Sequence, residues 1–169
     1  MQPPTDPIRP TDAEARALAR QLIDGARFAA LAFLEPETGA PGVSRIAVQT
    51  DAEGQPITLI SGLAAHFHAL VADPRAALLL GEPGPKGDPL THPRLSLTVA
   101  ARFIETGAEH DLLCARWLGV QPKAKLYIGL PDFRFVRLTM VSGLLNGGFG
   151  RAFRLSAADL NSGYPSAPA

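Results

Sequence analysis

The sequence has little cysteine and no surplus of charge of either sign. Its single cysteine, Cys114, cannot form an intramolecular disulfide, which is typical of proteins in a reducing compartment. Its 16 basic and 16 acidic residues cancel, so the chain has no overall field that would attract nucleic acid or an anionic membrane. We therefore predict neither nucleic acid nor a membrane as a partner, and any anion site has to be local.

Long apolar runs and the common catalytic signatures are missing as well. No apolar run approaches the roughly 20 residues that a membrane helix needs, and the N-terminus lacks the apolar segment of a secretory signal. The glycine-rich stretch "LNGGFGRAF" has neither the dinucleotide-binding nor the P-loop order, and no Gly-x-Ser-x-Gly motif occurs. We expect a cytoplasmic protein without a nucleotide loop.

The composition that remains is typical of a folded globular domain, since 46% of the residues are hydrophobic and 19% are charged. Residues 1–10 contain four prolines and are predicted to form an extended arm. Residues 11–156 are predicted to form a single domain, and residues 157–169 a flexible C-terminal tail.

Helical and strand patterns alternate along this domain. The segment "TDAE", with Glu14 three residues after Thr11, has the pattern of a capping box that opens an amphipathic helix over 11–25. Shorter helices are predicted over 64–72, 107–119 and 122–128. Apolar or alternating runs predict six strands and a candidate seventh, at 28–34, 43–50, 57–61, 75–82, 94–105, 133–148 and 149–156. The short turns between several of them favour an antiparallel closed barrel.

The step from the third strand into a helix, Ser61 to Phe67, is the strongest candidate site. The first turn of a helix leaves N–H groups unpaired, and its dipole favours an anion. The Ser61 hydroxyl and His66 would add donors, and Arg45 on the preceding strand would add charge. These residues fit a phosphate cradle. The alternative is that Ser61 only caps the helix and that His66 is solvated.

Two other reactive pairs carry less weight. His66 and His68 are two residues apart on the predicted helix and point in different directions, so we predict no metal site there. Cys114 follows His110 by four residues, which permits a Cys-His nucleophile pair. A small core residue is the more common role of such a cysteine.

Four segments taken in order carry a resemblance to a known family. They are "SRIAVQTDAEGQPITLISGLAAHFHALVADPRAALLL", "GDPLTHPRLSLTVAARFI", "KAKLYIGLPDFRFVRL" and "GGFGRAF". The set resembles the pyridoxamine 5′-phosphate oxidase-like, FMN-binding split-barrel family, in particular its HugZ-type haem-utilisation branch. The resemblance implies a mainly β fold with flanking helices, a six-stranded antiparallel split β-barrel. It also implies a homodimer with FMN bound at the interface.

The resemblance assigns FMN-binding residues position by position. Arg45 matches the strand arginine that contacts the FMN phosphate, and Ser61 and Gly62 match the strand end beneath the flavin. His66 stands where the oxidase has a phosphate-binding lysine, and Phe67 stands where the branch has a threonine. The resemblance also places Arg94 on a strand that lines the groove. It implies an FMN-dependent oxidoreductase or flavin reductase with a small-molecule substrate.

Two alternatives of other classes stay open. The first is a haem-binding protein of the haem-utilisation type, with His66, His68 or His92 as the axial ligand. The second is a dimeric scaffold without a cofactor. The C-terminal histidine that ligates haem in that branch is missing here. Asp132, which matches the aspartate near it, is expected to cap the start of the strand or to make a local hydrogen bond. The C-terminal Arg-x-His of the vitamin B6 oxidases is missing too, so that substrate is not expected.

Overall fold

The computed structural model describes residues 8–148 and 150–164. Residues 1–7 of the predicted arm and residues 165–169 of the predicted tail lie outside this range. Four α-helices are present in the described range: α1 Ala13–Gly25, α2 Ala65–Ala72, α3 Ala108–Val120 and α4 Ala157–Leu160. The strands are β1 Ile8–Arg9, β2 Phe28–Leu34, β3 Pro41–Ala47, β4 Gln49–Thr50, β5 Pro56–Ser61, β6 Arg75–Leu80, β7 Arg94–Phe103, β8 Phe133–Asn146 and β9 Ala152–Ser156. Short 3-10 helices cover Pro89–Thr91 and Pro122–Leu126.

The strands form one sheet that curls into a barrel. Antiparallel pairing runs from β3 through β2, β6, β7 and β8 to β5, and β5 returns to β4. Since only Val48 separates β3 from β4, these two behave as one bent strand that closes a six-stranded ring. The predicted mainly β barrel with flanking helices is confirmed. The predicted strand number is too low, because β9 pairs with β8 and β1 adds to β9 in parallel, making nine strands in the described range.

The bend between β3 and β4 corrects the predicted strand 43–50. Strict alternation would place Arg45, Ala47 and Gln49 on one face. Instead both Val48 and Gln49 are buried, and the N–H of Val48 donates to the carbonyl of Arg27 at 3.0 Å. The chain therefore turns inward at Val48, and β3 separates from β5 while β4 remains paired with it.

Helix α1 begins differently from the prediction. Asp12, and not Thr11, is the N-cap, since its carboxylate accepts the N–H of Ala15 at 2.7 Å. The Thr11 hydroxyl donates to the carbonyl of Arg154 at 2.7 Å and so ties the chain to β9. The predicted capping box is therefore wrong, although the helix it announces is present. None of the helices in the described part of the chain is long and apolar enough to span a membrane.

The beginning of the predicted flexible tail is folded. Helix α4 follows β9 directly, and Leu160 is only 2% exposed in the main core. Arg16 of α1 pairs with Asp159 at 3.0 Å, and the hydroxyl of Tyr164 donates to Asp24 at 3.0 Å. The domain therefore extends at least to residue 164, because one leucine and several polar groups anchor this segment to α1.

Leu160→Ala should lower the free energy of unfolding by about 2–5 kcal/mol, the cost of emptying a buried leucine site. Chemical denaturation measures this, with Leu126→Ala as the control. Leu126 is 85% exposed, so its loss should change stability by less than about 0.5 kcal/mol. Equal effects of the two changes would show that α4 adds nothing to the stability of the barrel.

Candidate functional site

The sheet has an uncharged surface on the side that faces away from the core. Side chains alternate along each strand, so every second residue of β2, β6, β7 and β8 points outward. The pairing register aligns these outward residues in rows across the four strands. We call the uncharged part of this surface the outer face; it consists of Ala30, Ala32, Ala77, Leu79, Ser96, Thr98, Ser142 and Leu144, and Arg75 lies at its border.

The composition of the outer face is unusual for a surface in water. The solvated side of an antiparallel sheet normally carries polar and charged residues, yet none of these eight residues is charged. Leu79 is 47% exposed and Leu144 is 44% exposed. Five of the eight residues are apolar and three carry hydroxyl groups. Exposed apolar groups without neighbouring charge are typical of a surface that a partner or a ligand covers.

Two of the predicted site residues, Arg45 and Arg94, flank the outer face. Arg45 pairs with Ala30 on β2, and Arg94 precedes Ser96 by two residues on β7. Three strand spacings, roughly 14 Å, separate the row position of Arg45 from that of Ser96. The Arg45 guanidinium lies 5.4 Å from the centre of the Phe28 ring, and Arg94 donates to the carbonyl of Leu90 at 2.8 Å. Within the described residues neither arginine pairs with a carboxylate, so both charges can meet an anionic ligand.

Ser61 and Gly62 lie at the end of β5, and Asp132 holds both. The Ser61 hydroxyl donates to Oδ2 of Asp132 at 2.7 Å and accepts the N–H of Leu63 at 3.1 Å. The N–H of Gly62 donates to the carbonyl of Asp132 at 2.7 Å. A Cβ at Gly62 would approach that carbonyl to 3.3 Å, so this glycine permits the close contact with the residue before β8. Asp132 does accept a hydrogen bond, but from a residue 71 positions away and not from a local one, and the Ser61 hydroxyl thereby uses its proton.

His66 and Phe67 occupy the first turn of α2. The ring of Phe67 packs edge-on against Phe103, 5.0 Å between ring centres, at the border of the main core. The ring of His66 lies 6.1 Å from that of Phe33, and burial lowers the pKa of His66 below its ordinary value. A neutral imidazole is a weak phosphate ligand but a good ligand for a metal centre. The apolar setting of both side chains does not favour a phosphate at this position.

The strand β3 connects these two groups of residues. It contacts α2 and β5 on one side and pairs with β2 on the other. The β4–β5 register pairs Gln49 with Ile57, and its continuation would set Arg45 opposite Ser61. The structure thus places Arg45 and Arg94 beside the outer face. It places Ser61, Gly62, His66 and Phe67 at the end of β5 and the start of α2.

The four histidines differ in whether their ring nitrogens are free. His92 uses both, since Nδ1 accepts the N–H of Gly84 at 3.2 Å and Nε2 contacts the carbonyl of Lys86 at 2.9 Å. His110 contacts Sγ of Cys114 at 3.7 Å. Within the described range, His66 and His68 have no hydrogen bond to either ring nitrogen. Of the three predicted haem ligands, His92 is therefore the poorest candidate.

A second polar cluster surrounds Arg137 at the far side of the barrel. Its guanidinium lies 2.9 Å from the carboxylate of Glu53 and 3.2 Å from that of Glu109. Nε lies 2.7 Å from Oδ2 of the buried Asp51, a charge contact in which the N–H does not point at the oxygen. Although a cavity of about 460 Å³ opens beside these groups, Arg137 already forms ion pairs with the carboxylates around it. The cluster stabilises the loop after β4 and is not a strong ligand site.

Comparison with known proteins places the chain among split-barrel proteins. A solved structure with 56% identity covers 90% of this chain and 98% of its own, with a TM-score of 0.82. A protein of unknown function from Agrobacterium tumefaciens is 36% identical, with a TM-score of 0.78, and covers 94% of this chain and 64% of its own. A haem-binding protein from Mycobacterium smegmatis is 28% identical, with a TM-score of 0.77, and covers 92% and 62%.

More distant structures agree on the fold alone. They include ChuZ of Campylobacter jejuni, 20% identical with a TM-score of 0.78, covering 94% of this chain and 68% of its own. A pyridoxinephosphate oxidase family protein of Clostridium acetobutylicum, 13% identical with a TM-score of 0.68, covers 89% and 99%. The predicted resemblance is confirmed: the chain has the split-barrel fold of the pyridoxamine 5′-phosphate oxidase-like proteins, and its structural neighbours include haem-binding proteins of the HugZ type.

A curated relative adds one comparison at the sequence level. The chloroplastic non-canonical haem oxygenase HOZ of Arabidopsis thaliana is 31% identical over 108 residues, which cover 63% of this chain. The match spans about a third of that relative, 32% of its length. No family model matches the chain.

The apolar strands fit a covered interface, but the sequence does not reveal the outer face as a unit. The signal was present, since "FAALAFL" and "RAALLL" are more continuously apolar than a small barrel with one solvated side requires. Their alternate residues could have been assigned to a covered exterior. The position of Arg45 and Arg94 beside that exterior was not readable, because it depends on the pairing of strands distant in sequence.

Proposed function

We propose that this protein binds haem against the outer face, between two copies of the chain. The observation that carries the proposal is the uncharged outer face with Arg45 and Arg94 beside it. An apolar surface suits the faces of a porphyrin, and unpaired arginines suit its carboxylates. Arg45 lies on β3, which also contacts the helix that carries His66.

The fit of haem rests on what the residues offer. Haem iron requires an axial ligand such as a histidine. His66 supplies a neutral imidazole whose pKa burial lowers, and both of its ring nitrogens lack a hydrogen bond in the described structure. Haem would supply redox and oxygen chemistry when bound; the chain would hold its iron through His66 and its propionates through Arg45 and Arg94.

The relatives support haem over FMN. The two relatives between 28% and 31% identical that have a stated ligand or activity are a haem-binding protein and a haem oxygenase. The pyridoxinephosphate oxidase-type structures are 13% identical and bear on the fold alone.

The proposal includes a homodimer, because one copy would leave the outer face open to water. A stable interface buries about 800 Å² on each partner. The outer face spans four strands and supplies the apolar centre of such a contact. The row that contains Leu79, Ser96 and Leu144 ends in Arg45 on one side and Arg154 on the other, which gives it a charged rim.

FMN is the second candidate, and one observation favours it. Ala64 is the N-cap of α2 and has no side chain to bond the N–H groups of the first turn. Unbonded first-turn donors attract a phosphate.

The test is a spectrum of the purified protein after incubation with haemin or with FMN, followed by desalting. We expect a retained Soret band and no retained flavin absorption. Retained FMN without haem would replace the proposal by the flavin function. Retention of neither would leave a dimeric scaffold and would overturn haem binding.

A further inference from the structure

Asp132 places a carboxylate next to the N-terminus of α2, which we call the mouth of α2. It directly precedes β8, and its carboxylate accepts the proton of Ser61 at 2.7 Å. Its backbone carbonyl accepts the N–H of Gly62 at 2.7 Å, so two contacts hold it against the end of β5. The carbonyl of Ser61 in turn accepts the N–H of Ala64, the N-cap of α2, at 3.1 Å. Ser61 thus links the carboxylate of Asp132 to Ala64 at the N-terminus of α2.

We propose that Asp132 is a specificity-determining residue that excludes phosphate-bearing ligands from the mouth of α2. In the described structure its carboxylate has no arginine or lysine partner, so its charge is not neutralised locally. A phosphate brought to the first turn of α2 would meet this like charge. It would also find that the Ser61 hydroxyl already donates its proton elsewhere.

Without Asp132, the first turn of α2 would favour an anionic ligand. The first turn of α2 has no side-chain cap, which favours an anion there. The carboxylate of Asp132, held at Ser61 beside this turn, opposes that preference. The ligand that fits would present a hydroxyl or another donor to Asp132, and would place any carboxylates at Arg45 and Arg94 instead.

The inference goes beyond haem binding and can be tested without haem. FMN and riboflavin share the same ring and ribityl chain and differ only in the phosphate. The ratio of their affinities therefore isolates the response to the phosphate. Failure of the haem test would leave this ratio unaffected, so the two proposals fail separately.

The experiment compares FMN and riboflavin binding by flavin fluorescence titration in the unchanged protein and in Asp132→Asn. We expect the unchanged protein to bind FMN no more tightly than riboflavin. Asp132→Asn should raise the FMN affinity at least tenfold and change the riboflavin affinity by less than threefold. The asparagine keeps the size and hydrogen-bonding capacity of the side chain and removes its charge.

Two controls separate charge from structure. Asp111→Asn removes the same charge from an exposed site on α3 and should leave the ratio unchanged. Ser61→Ala removes the tether but keeps the carboxylate, so the FMN affinity should not rise. A tenfold preference of the unchanged protein for FMN would overturn the proposal. So would an Asp132→Asn variant without a gain in FMN affinity, and if that variant does not fold, the ratio in the unchanged protein decides.

Discussion

His66→Ala should lower the haem affinity at least about 100-fold and abolish the Soret band that survives desalting. The loss of a group that only supports a metal ligand already costs about 10- to 100-fold, so the loss of the ligand itself should cost no less. His66 is the expected ligand because its imidazole is half-buried, neutral and free of hydrogen bonds in the described structure. Titration with haemin, followed by absorption, measures the effect.

His68→Ala is the matched control for this change. His68 lies two residues further on the same helix, is exposed, and also has no hydrogen bond to its ring nitrogens in the described range. We expect it to change the haem affinity less than threefold. If His68→Ala removed haem and His66→Ala did not, the assignment of the ligand would be wrong and haem would lie on the exposed side of α2.

The pH dependence of haem binding follows from the lowered pKa of His66. A histidine whose pKa is depressed stays neutral below its ordinary value of 6.5 and protonates only at lower pH. Protons compete with iron for the same nitrogen. Haem affinity should therefore stay constant as the pH falls to 6.5 and decline below it. A decline that began above 6.5 would point to a different ligand.

Leu79→Arg should convert the proposed dimer to monomers and reduce haem retention with it. Leu79 lies within the outer face, where a second copy would have to bury an unpaired guanidinium. Such a buried, uncompensated charge costs about 3–5 kcal/mol, which corresponds to a dissociation constant raised more than about 100-fold. Analytical ultracentrifugation across a concentration series measures this change.

Leu126→Arg is the control for the dimer prediction. Leu126 is 85% exposed in the 3-10 helix after α3 and lies outside the outer face. The same charge there should leave the association unchanged. An unchanged protein that is monomeric at all concentrations, or a dimer that survives Leu79→Arg, would contradict the outer face as the interface.

The existence of most elements could be read from the sequence because their signals are local. The apolar run at 28–34 and the alternation at 94–103 correspond to β2 and β7, and the helix over 11–25 is present as α1. Their boundaries moved by one to a few residues where caps or bends intervened, as at Asp12 and Val48. Those details depend on which backbone groups find partners, and propensity does not encode that choice.

The candidate site was predicted only in part, because it depends on contacts between residues that are distant in sequence. Arg45, Ser61 and His66 were placed around one anion because they follow one another along the chain. In the structure the Ser61 hydroxyl donates a hydrogen bond to Asp132, a residue 71 positions further along the chain. It buries the flank of Phe67 against Phe103.

The sequence by itself determined that this protein is a mainly β barrel with flanking helices, since the periodicity of side chains along each strand is a local property. It also determined the resemblance to split-barrel proteins, because a set of motifs in a fixed order can be recognised without knowledge of contacts. Only the tertiary structure decided that eight uncharged residues from four strands form one outer face between Arg45 and Arg94. Strand pairing sets that arrangement, and pairing depends on the burial of the whole core.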